Sequence, residues 1–413
     1  MNSEPTELIV TLDAAEIGSS RPVGILRRRP GPRPVISFEY ARSWLVWPTA
    51  FAIDPLLPLA FGETFARDGG LPGILADTAP DRWGQRLLER REVAVARREG
   101  RPARTLGEWD FLTGVSDQTR MGALRLSARV GGSFLDDRDS TVPPLTRLRS
   151  LEFAARRVEE APGAAVDDPT IALLVAPGSS LGGARPKANY AAADDSLWIA
   201  KFPSRDDRRD VGGWQYLMTV LARDAGIVVP DIDRLTLSPA GTTFAARRFD
   251  RVAESRRLFA SAMTLTTKRD GEEASYLDLA LAVADHVEPA AIEADLEQLF
   301  RRLAFNIVGG IRDDHLRNHG FLRGLSGWRL APAYDLTPTP ESNEHSLAID
   351  DRSHVPDVAT AIHTSPFYRL SGSRAEAIVR EVRAAVSGWR ARARQIGLTM
   401  DEIELAAGGF RLE

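Results

Sequence analysis

Apolar residues, many of them β-branched or aromatic, concentrate in several short stretches near the start of the chain, which is the pattern of β-strands. The stretches are residues 7–12, 23–28 and 35–40. Residues 27–34, with the sequence RRRPGPRP, connect the last two and are expected to form a hairpin tip. An exposed loop is the simpler interpretation of this basic tract, and a nucleic-acid contact is the alternative.

A helix is predicted for residues 81–98, because Trp83, Leu87 and Leu88 fall on one face at helical spacing. The proline pair at 143–144 then marks a boundary, since two prolines together interrupt regular structure. The first part of the chain is therefore expected to be rich in strands, with short helices after them.

Short strands alternate with one helix in the middle of the chain, which opens with an apolar run at 171–176. The predicted strands are residues 188–193 and 197–202, a segment near residue 235, and residues 243–248. Asp194 and Asp195 provide the turn of a hairpin between the first two strands. A helix is predicted for residues 213–225, with Gly226 ending it.

The pattern becomes mainly helical after residue 255. Apolar residues recur at spacings of three and four from 292 to 308, which predicts one long amphipathic helix closed by two glycines at 309–310. A second long helix is predicted for residues 373–395, and a hairpin for 321–330. These shifts divide the chain into segments 1–140, 141–255 and 256–413, and no internal repeat is visible.

Composition excludes several classes of protein. The 413 residues are 43% hydrophobic and 27% charged, which is ordinary for a globular protein of two or three domains. The absence of cysteine excludes disulfide frameworks, thiolate metal sites and cysteine nucleophiles. The most apolar stretch, 43–66, contains Asp54 and three prolines and is too interrupted for a membrane helix. The N-terminus lacks the basic region of a signal peptide, so a cytoplasmic protein without a membrane partner is expected. The net charge of −4 argues against a protein that grips nucleic acid over its whole surface.

Lysine occurs at three positions only, against fifty arginines, and two of the three lie within fifteen residues of each other. Lys201 falls on a predicted strand beside Trp198, Ile199 and Phe202. A lysine in such a strand needs an anion, because a buried unpaired ammonium is costly. A lysine ammonium is a compact charge that can reach phosphate oxygens where the planar guanidinium of arginine fits badly. We therefore favour a phosphate contact for Lys201 over an incidental surface role.

A loop of small residues precedes this strand, with the sequence PGSSLGGARPK at positions 177–187. Adjacent glycines allow backbone N–H groups to approach phosphate oxygens, and Lys187 adds a positive charge at the end of the loop. An ordinary β-turn is the commoner explanation of such a loop. The sequence does not match the G-x-x-x-x-G-K-[ST] pattern, which disfavours a P-loop NTPase.

The strongest chemical signal is the sequence DDHLRN at 313–318, followed by Asp335 seventeen residues later. Phosphoryl transfer needs a carboxylate near the attacking hydroxyl and oxygen ligands that hold Mg²⁺ against the phosphates. Asp313 stands five residues before Asn318, which resembles the catalytic loop of protein kinases, and Asp335 would be the second metal ligand. A capped polar loop is the alternative, because Asp and Asn are also turn residues.

Taken in order, the motifs resemble those of the HipA family of serine/threonine kinases, the toxins of type II toxin–antitoxin pairs. In the second half of the chain they are SLGGARPK at 180–187, AKFP at 200–203, RFDR at 248–251, DDHLRNHGF at 313–321 and APAYDL at 331–336. In the first third they are LPG at 71–73, APDRWG at 79–84 and MGALR at 121–125. The resemblance covers nearly the whole chain.

The resemblance implies an α/β fold of the two-lobed, protein-kinase-like HipA type. An N-terminal β-rich subdomain at 1–140 would lead into a nucleotide-binding lobe at 141–255 and an all-helical C-terminal lobe at 256–413. It also implies ATP and Mg²⁺ as cofactors, a protein substrate such as an aminoacyl-tRNA synthetase, and a HipB-like antitoxin through which the complex binds operator DNA.

The resemblance further implies a role for each matching residue. Asp313 matches the catalytic aspartate, while Asn318 and Asp335 match the Mg²⁺ ligands. Ser180 matches the serine on which family members phosphorylate and silence themselves, with Ser179 a less favoured site. The residues implied to contact the nucleotide, besides these two metal ligands, are Gly182, Gly183, Ala184, Arg185, Pro186, Lys187, Lys201, Arg247, Arg248, Phe249, His315 and Tyr334.

Two positions depart from the family pattern. Gln215 stands where family members commonly have a glutamate, and it is expected to hydrogen-bond Lys201 without neutralising it. Arg247 stands where an acidic residue can occur, which backbone contacts to adenine tolerate. The alternative function is a catalytically weak homologue that acts mainly as an antitoxin-bound DNA co-repressor. A basic face on the predicted helix 373–395 would contact phosphates in that case, although a solvated helix face is the commoner explanation.

Overall fold

The computed structural model describes residues 6–14, 16–29, 31, 34–135, 142–160, 173–175, 183–253 and 255–413. The chain divides into two compact units. Unit 1 comprises residues 1–205 and 250–260, and unit 2 comprises residues 206–249 and 261–413. The motifs that carry the resemblance are therefore distributed over both units, and each unit is described by itself.

Unit 1 contains a five-stranded sheet in which every neighbouring pair is antiparallel. In spatial order its strands are Glu63–Phe65, Val35–Tyr40, Arg21–Arg29, Glu7–Leu12 and Leu124–Ser127. Leu8, Val10 and Leu12 alternate inward, which confirms the strand predictions for this region. In the basic tract, Arg27 bonds to Glu39 and Arg29 to Glu63, so both charges are already paired within the sheet.

The predicted helix of unit 1 spans Arg82–Arg98 and begins at Asp81, whose side chain accepts a hydrogen bond from the Gly84 amide. Its buried residues include Trp83, Leu87 and Leu88, as the spacing predicts. The other helices of this unit are Arg42–Leu45, Gly73–Ala76, Glu108–Thr113 and Leu148–Glu160, and residues 173–175 of the apolar run are also helical.

The predicted lysine hairpin is confirmed in unit 1. Lys187–Ala191 and Leu197–Lys201 pair antiparallel, with Lys187 directly opposite Lys201. Asp195 in the turn has a φ of +63°, which aspartate tolerates better than most residues. The short strands that follow further along the chain are Arg251–Val252, Ser255–Arg256 and Leu258–Ser261.

Unit 2 begins with the helix Val211–Asp224, which Asp210 caps. The Asp210 carboxylate also accepts a 2.6 Å hydrogen bond from the Thr242 hydroxyl, which lies on the following hairpin. That hairpin pairs Ile232–Ser238 with Gly241–Arg247. The helix and both strands agree with the prediction for this region.

The core of unit 2 is the long helix Ile292–Gly309, most of whose residues from Leu296 onward are buried. It ends at Gly310, whose φ of +72° gives the left-handed conformation that closes a helix. The hairpin after it pairs Gly320–Arg323 with Trp328–Leu330. The other helices of this unit are Ala262–Leu265, Tyr276–His286, Val358–His363, Gly372–Val386, Trp389–Gln395 and Met400–Ala407.

The prediction of one helix over 373–395 is wrong, because the segment forms two helices, Gly372–Val386 and Trp389–Gln395. The break falls at Ser387 and Gly388, the latter a weak helix former. Restarting the helix there places Trp389 in the core, where its ring stacks on Phe410 at 4.0 Å. Packing of this large ring thus overrides the continuous periodicity of the sequence.

Among the described residues, no helix is both long and apolar enough to cross a membrane.

Candidate active site

The candidate catalytic loop, residues 313–318, follows the left-handed turn that ends the long helix of unit 2. Its last three residues form a 3₁₀ turn, Leu316–Asn318. The Asn318 side chain turns back and donates from Nδ2 to the Asp313 carbonyl oxygen at 3.0 Å. One residue predicted to bind metal therefore holds the backbone of the residue predicted to be the base.

Asp313 is exposed, as a group that meets a substrate must be. Partial desolvation raises the pKa of the Asp313 carboxyl above its ordinary value, repulsion from Asp335 and Asp314 adds to the shift, and His315 opposes it. A carboxylate with a raised pKa is a better proton acceptor when it is ionised.

Asp335 adopts a φ of +61°, a conformation that a non-glycine residue holds only when its surroundings stabilise it. The Gln215 side chain, almost fully buried in the helix Val211–Asp224, donates from Nε2 to Asp335 Oδ1 at 3.2 Å. The preceding residue, Tyr334, donates its hydroxyl to the Arg317 carbonyl at 2.7 Å, so the segment is also tied to the catalytic loop.

The chemistry of this donor set fits a magnesium ion. Asn318 offers an amide oxygen and Asp335 a carboxylate, the hard oxygen ligands that Mg²⁺ prefers. Within the described part of the chain, no cluster of three acidic or histidine side chains is present that would hold a metal ion by itself. Mg²⁺ in nucleotide sites typically takes one or two protein ligands and completes its coordination shell with phosphate oxygens and water. The two candidate ligands are therefore enough for such a site.

An aromatic pair lies where the family resemblance predicts the adenine. The Phe249 and Tyr334 rings are 5.5 Å apart and tilted by 31°. The neighbouring Arg248 is buried, whereas Arg247 is half exposed and lies 3.6 Å from the Asp231 carboxylate. Both rings are partly exposed and so retain faces on which a planar base can stack.

The residues predicted to form the nucleotide loop belong to unit 1. Gly183, Ala184, Arg185, Pro186 and Lys187 are described, and the Arg185 side chain donates to the Phe202 carbonyl at 3.0 Å. Gly182, Ser179 and Ser180 lie outside the described residues. The predictions made for these last three residues therefore remain predictions.

Lys187 has a partner that the sequence did not reveal. Its ammonium is fully buried and bonds to the carboxylate of Asp81 and to the Gly183 carbonyl at 3.0 Å. Trp83 adds a hydrogen bond from its indole Nε1 to the Lys187 carbonyl at 3.0 Å. The APDRWG motif thus holds the end of the loop, and the charge of Lys187 is directed at Asp81.

Lys201 lies at the end of the second hairpin strand and is 8% exposed. Residues directly opposite each other in an antiparallel pair project to the same face of the sheet, so Lys187 and Lys201 share a face. Lys187 bonds to Asp81, and the phosphate contact of Lys201 remains a prediction.

A buried polar cluster beneath the catalytic loop was not predicted. Asp314 accepts hydrogen bonds from Tyr276, from Asn306 and from His319. Burial alone would raise the pKa of Asp314, but the charge of His319, the hydrogen bonds from His319 and Tyr276, and the charge of His345 lower it to about 2. The only sequence signal was the second aspartate of the DDH triplet, which looks equivalent to the first.

Two family models match the sequence. The HipA-like C-terminal domain matches residues 179–389, and the HipA N-terminal domain matches residues 17–127. The chain belongs to the HipA family. This result confirms the resemblance on which the site predictions rest, while leaving the individual residue roles to be tested.

One solved structure in particular supports the fold. HipA of Shewanella oneidensis MR-1, from a complex of the toxin–antitoxin system proteins HipA and HipB with operator DNA, is similar with a TM-score of 0.69 at 16% identity, over 97% of this chain and 94% of that one. The mixed α/β HipA-like fold is therefore confirmed. The Helicobacter pylori proinflammatory kinase CtkA aligns with a TM-score of 0.34 at 14% identity, over 51% of this chain and 95% of that one. No curated protein matches the sequence.

Proposed function

We propose that this HipA-family protein is an ATP- and Mg²⁺-dependent serine/threonine protein kinase. The observation that carries the proposal is the exposed Asp313, whose carbonyl is held by Asn318 and whose carboxylate is influenced by Asp335. These residue types occur in this chain order in protein kinases, which catalyse phosphoryl transfer.

In the proposed reaction, a substrate hydroxyl oxygen attacks the γ-phosphorus of ATP. The bond between that phosphorus and the bridging oxygen breaks, ADP leaves, and the hydroxyl proton passes to the Asp313 carboxylate. Asn318 and Asp335 would hold Mg²⁺, which would supply positive charge against the phosphate oxygens. Lys201 would contact phosphate, the exposed His315 would contact the nucleotide, and the backbone of residues 247–249 would hold adenine.

We further propose that the protein is the toxin of a type II toxin–antitoxin pair and phosphorylates a translation-related protein, such as an aminoacyl-tRNA synthetase. Autophosphorylation of Ser180 would place a near-dianion in the nucleotide loop and oppose ATP binding by charge repulsion. A HipB-like antitoxin is the proposed partner, and operator DNA is reached through that complex. The occurrence of the Shewanella oneidensis protein with HipB and operator DNA supports this part of the proposal.

The structure gives less support to a catalytically weak protein that acts as a DNA co-repressor through its C-terminal arginines. Four of these side chains already have acidic partners. Arg374 bonds to Glu297 and Glu381, Arg380 lies near Glu376, Arg390 bonds to Glu404, and Arg392 bonds to Asp224. A phosphate would have to displace these carboxylates.

The test compares wild-type protein with Asp313→Asn, using Asp351→Asn as a control because Asp351 is exposed and its recorded ion pair is with its neighbour Arg352. We expect Asp313→Asn to lose transfer of labelled phosphate and growth arrest, while binding of Mg²⁺ and ADP persists. Phosphate should map to Ser180 in the wild type. Continued phosphate incorporation by Asp313→Asn would show that another group is the base.

A further inference from the structure

Asp314 is buried directly beside the exposed candidate base. It is 4% exposed, and its Oδ2 atom accepts from Asn306 Nδ2 and His319 Nε2, each at 2.9 Å, and from the Tyr276 hydroxyl. A carboxylate is very costly to bury without such donors. Three donors on one oxygen specify its position far more closely than solvent would.

The three donors come from separate parts of unit 2. Tyr276 is the first residue of the helix Tyr276–His286, and Asn306 lies in the last turn of the long helix. His319 follows the catalytic loop itself, five residues beyond Asp314. Asp314 therefore attaches the start of the loop to two packed helices and to its own far end.

Side chains alternate along this part of the loop. Asp313 and His315 are exposed, whereas Asp314 and Leu316 are buried. This period of two is the geometry of an extended segment, in which successive side chains project to opposite sides. A fixed inward direction for Asp314 consequently requires an outward direction for Asp313.

We propose that Asp314, with Tyr276 as its principal fixed donor, is a positioning residue that sets the orientation of Asp313 for catalysis. The proposal rests on the proposed kinase function for its catalytic consequence. Its structural content, that the Tyr276 bond restrains residues 313–319, is independent of that function.

The loop has a second attachment that allows this role to be tested without unfolding the protein. Arg312 donates to the Asn306 carbonyl at 2.9 Å and to the Gly409 carbonyl at 2.9 Å. These bonds hold the preceding residue whatever happens to Asp314. Removal of the Tyr276 hydroxyl should therefore make residues 313–319 more mobile, while Arg312 stays in place.

The test variant is Tyr276→Phe, which keeps the ring that meets His319 edge-on at 5.9 Å. The matched control is Tyr368→Phe. Tyr368 is also fully buried, its ring packs on Phe300 of the same long helix at 5.2 Å, and it is not a donor to Asp314. Both variants lose one buried hydroxyl.

We expect Tyr276→Phe to lower kcat for phosphate transfer by roughly tenfold or more, because hydrogen bonds to charged groups are among the stronger ones. KM for ATP and the affinity for Mg²⁺ and ADP should change less than about twofold, because the substitution removes no contact proposed for the nucleotide or the metal. Amide hydrogen exchange should accelerate at residues 313–319 in Tyr276→Phe and not in Tyr368→Phe.

Unchanged exchange at 313–319 and an unchanged kcat would overturn the inference, as would equal effects of the two variants. If the wild type neither transfers phosphate nor binds nucleotide, the kinase proposal fails. The exchange comparison then still decides whether Tyr276 and Asp314 restrain the loop.

Discussion

Replacing Lys187 by methionine tests whether this lysine serves the fold or the phosphates. Its ammonium is fully buried and bonds to Asp81 and to the Gly183 carbonyl. Methionine keeps an apolar side chain of similar length but removes the charge. The variant therefore leaves the Asp81 carboxylate buried without its cation.

The expected cost follows from these contacts. Breaking a buried ion pair by removing one partner typically costs about 3–5 kcal/mol. Asp81 keeps its 2.9 Å bond from the Gly84 amide, so a loss near the lower end, about 3 kcal/mol, is expected. Asparagine is as good a helix cap as aspartate, so Asp81→Asn combined with Lys187→Met should recover about 2 kcal/mol of that loss.

Urea unfolding of the full chain without nucleotide measures these free energies for the wild type, both single variants and the double variant. Calorimetric binding of Mg²⁺ and ADP gives the second readout. If Lys187 serves the fold, the free energy of unfolding should fall in Lys187→Met and recover in the double variant. Nucleotide affinity should change by less than about threefold in the double variant, because Lys187 would not contact phosphate.

A loss of nucleotide affinity of tenfold or more, with unfolding free energy within about 1 kcal/mol of the wild type, would refute this reasoning. That result would return Lys187 to the phosphate role predicted from the sequence.

Two further predictions concern stability. Burial, with a contribution from Arg312, lowers the pKa of His345 to about 3. Between about pH 6.5 and 3, the unfolded chain therefore binds a proton at His345 that the folded chain does not bind. The free energy of unfolding should thus fall as the pH drops from 7 to 4, and His345→Gln should flatten this slope; an identical slope in the variant would assign the effect elsewhere. Trp389→Ala should cost about 3–5 kcal/mol in urea unfolding, because it empties the space beside Phe410. A cost below about 1 kcal/mol would mean that the stacking of Trp389 on Phe410 contributes little to stability.

Strongly periodic segments were predictable from the sequence alone. The apolar spacing from 292 to 308 matches the helix Ile292–Gly309, and the lysine hairpin forms where the turn residues Asp194 and Asp195 place it. The break at Gly388 was not predictable, because it depends on where Trp389 finds its partner rings. Local periodicity does not contain that tertiary information.

The chemistry of the site divides in the same way. Asp313, Asn318 and Asp335 carry a spacing that resembles the catalytic loop of protein kinases, and in the structure the Asn318 side chain donates to the Asp313 carbonyl. Asp314 and Tyr276 are 38 residues apart in sequence and meet only in the folded chain. Partnerships of this kind depend on burial, which two adjacent aspartates in a sequence do not reveal.

Gln215 illustrates how a departure from the family pattern acquires a physical reason. If this position pairs with Lys201, a glutamine in place of a glutamate cannot neutralise the lysine charge. In unit 2, however, its amide donates to the Asp335 carboxylate at 3.2 Å. A glutamate there would offer a second carboxylate at hydrogen-bonding distance, and two like charges would repel unless a proton or cation intervened. We infer that glutamine is the residue suited to holding Asp335 before metal binds, so its presence is no argument for a weakened kinase.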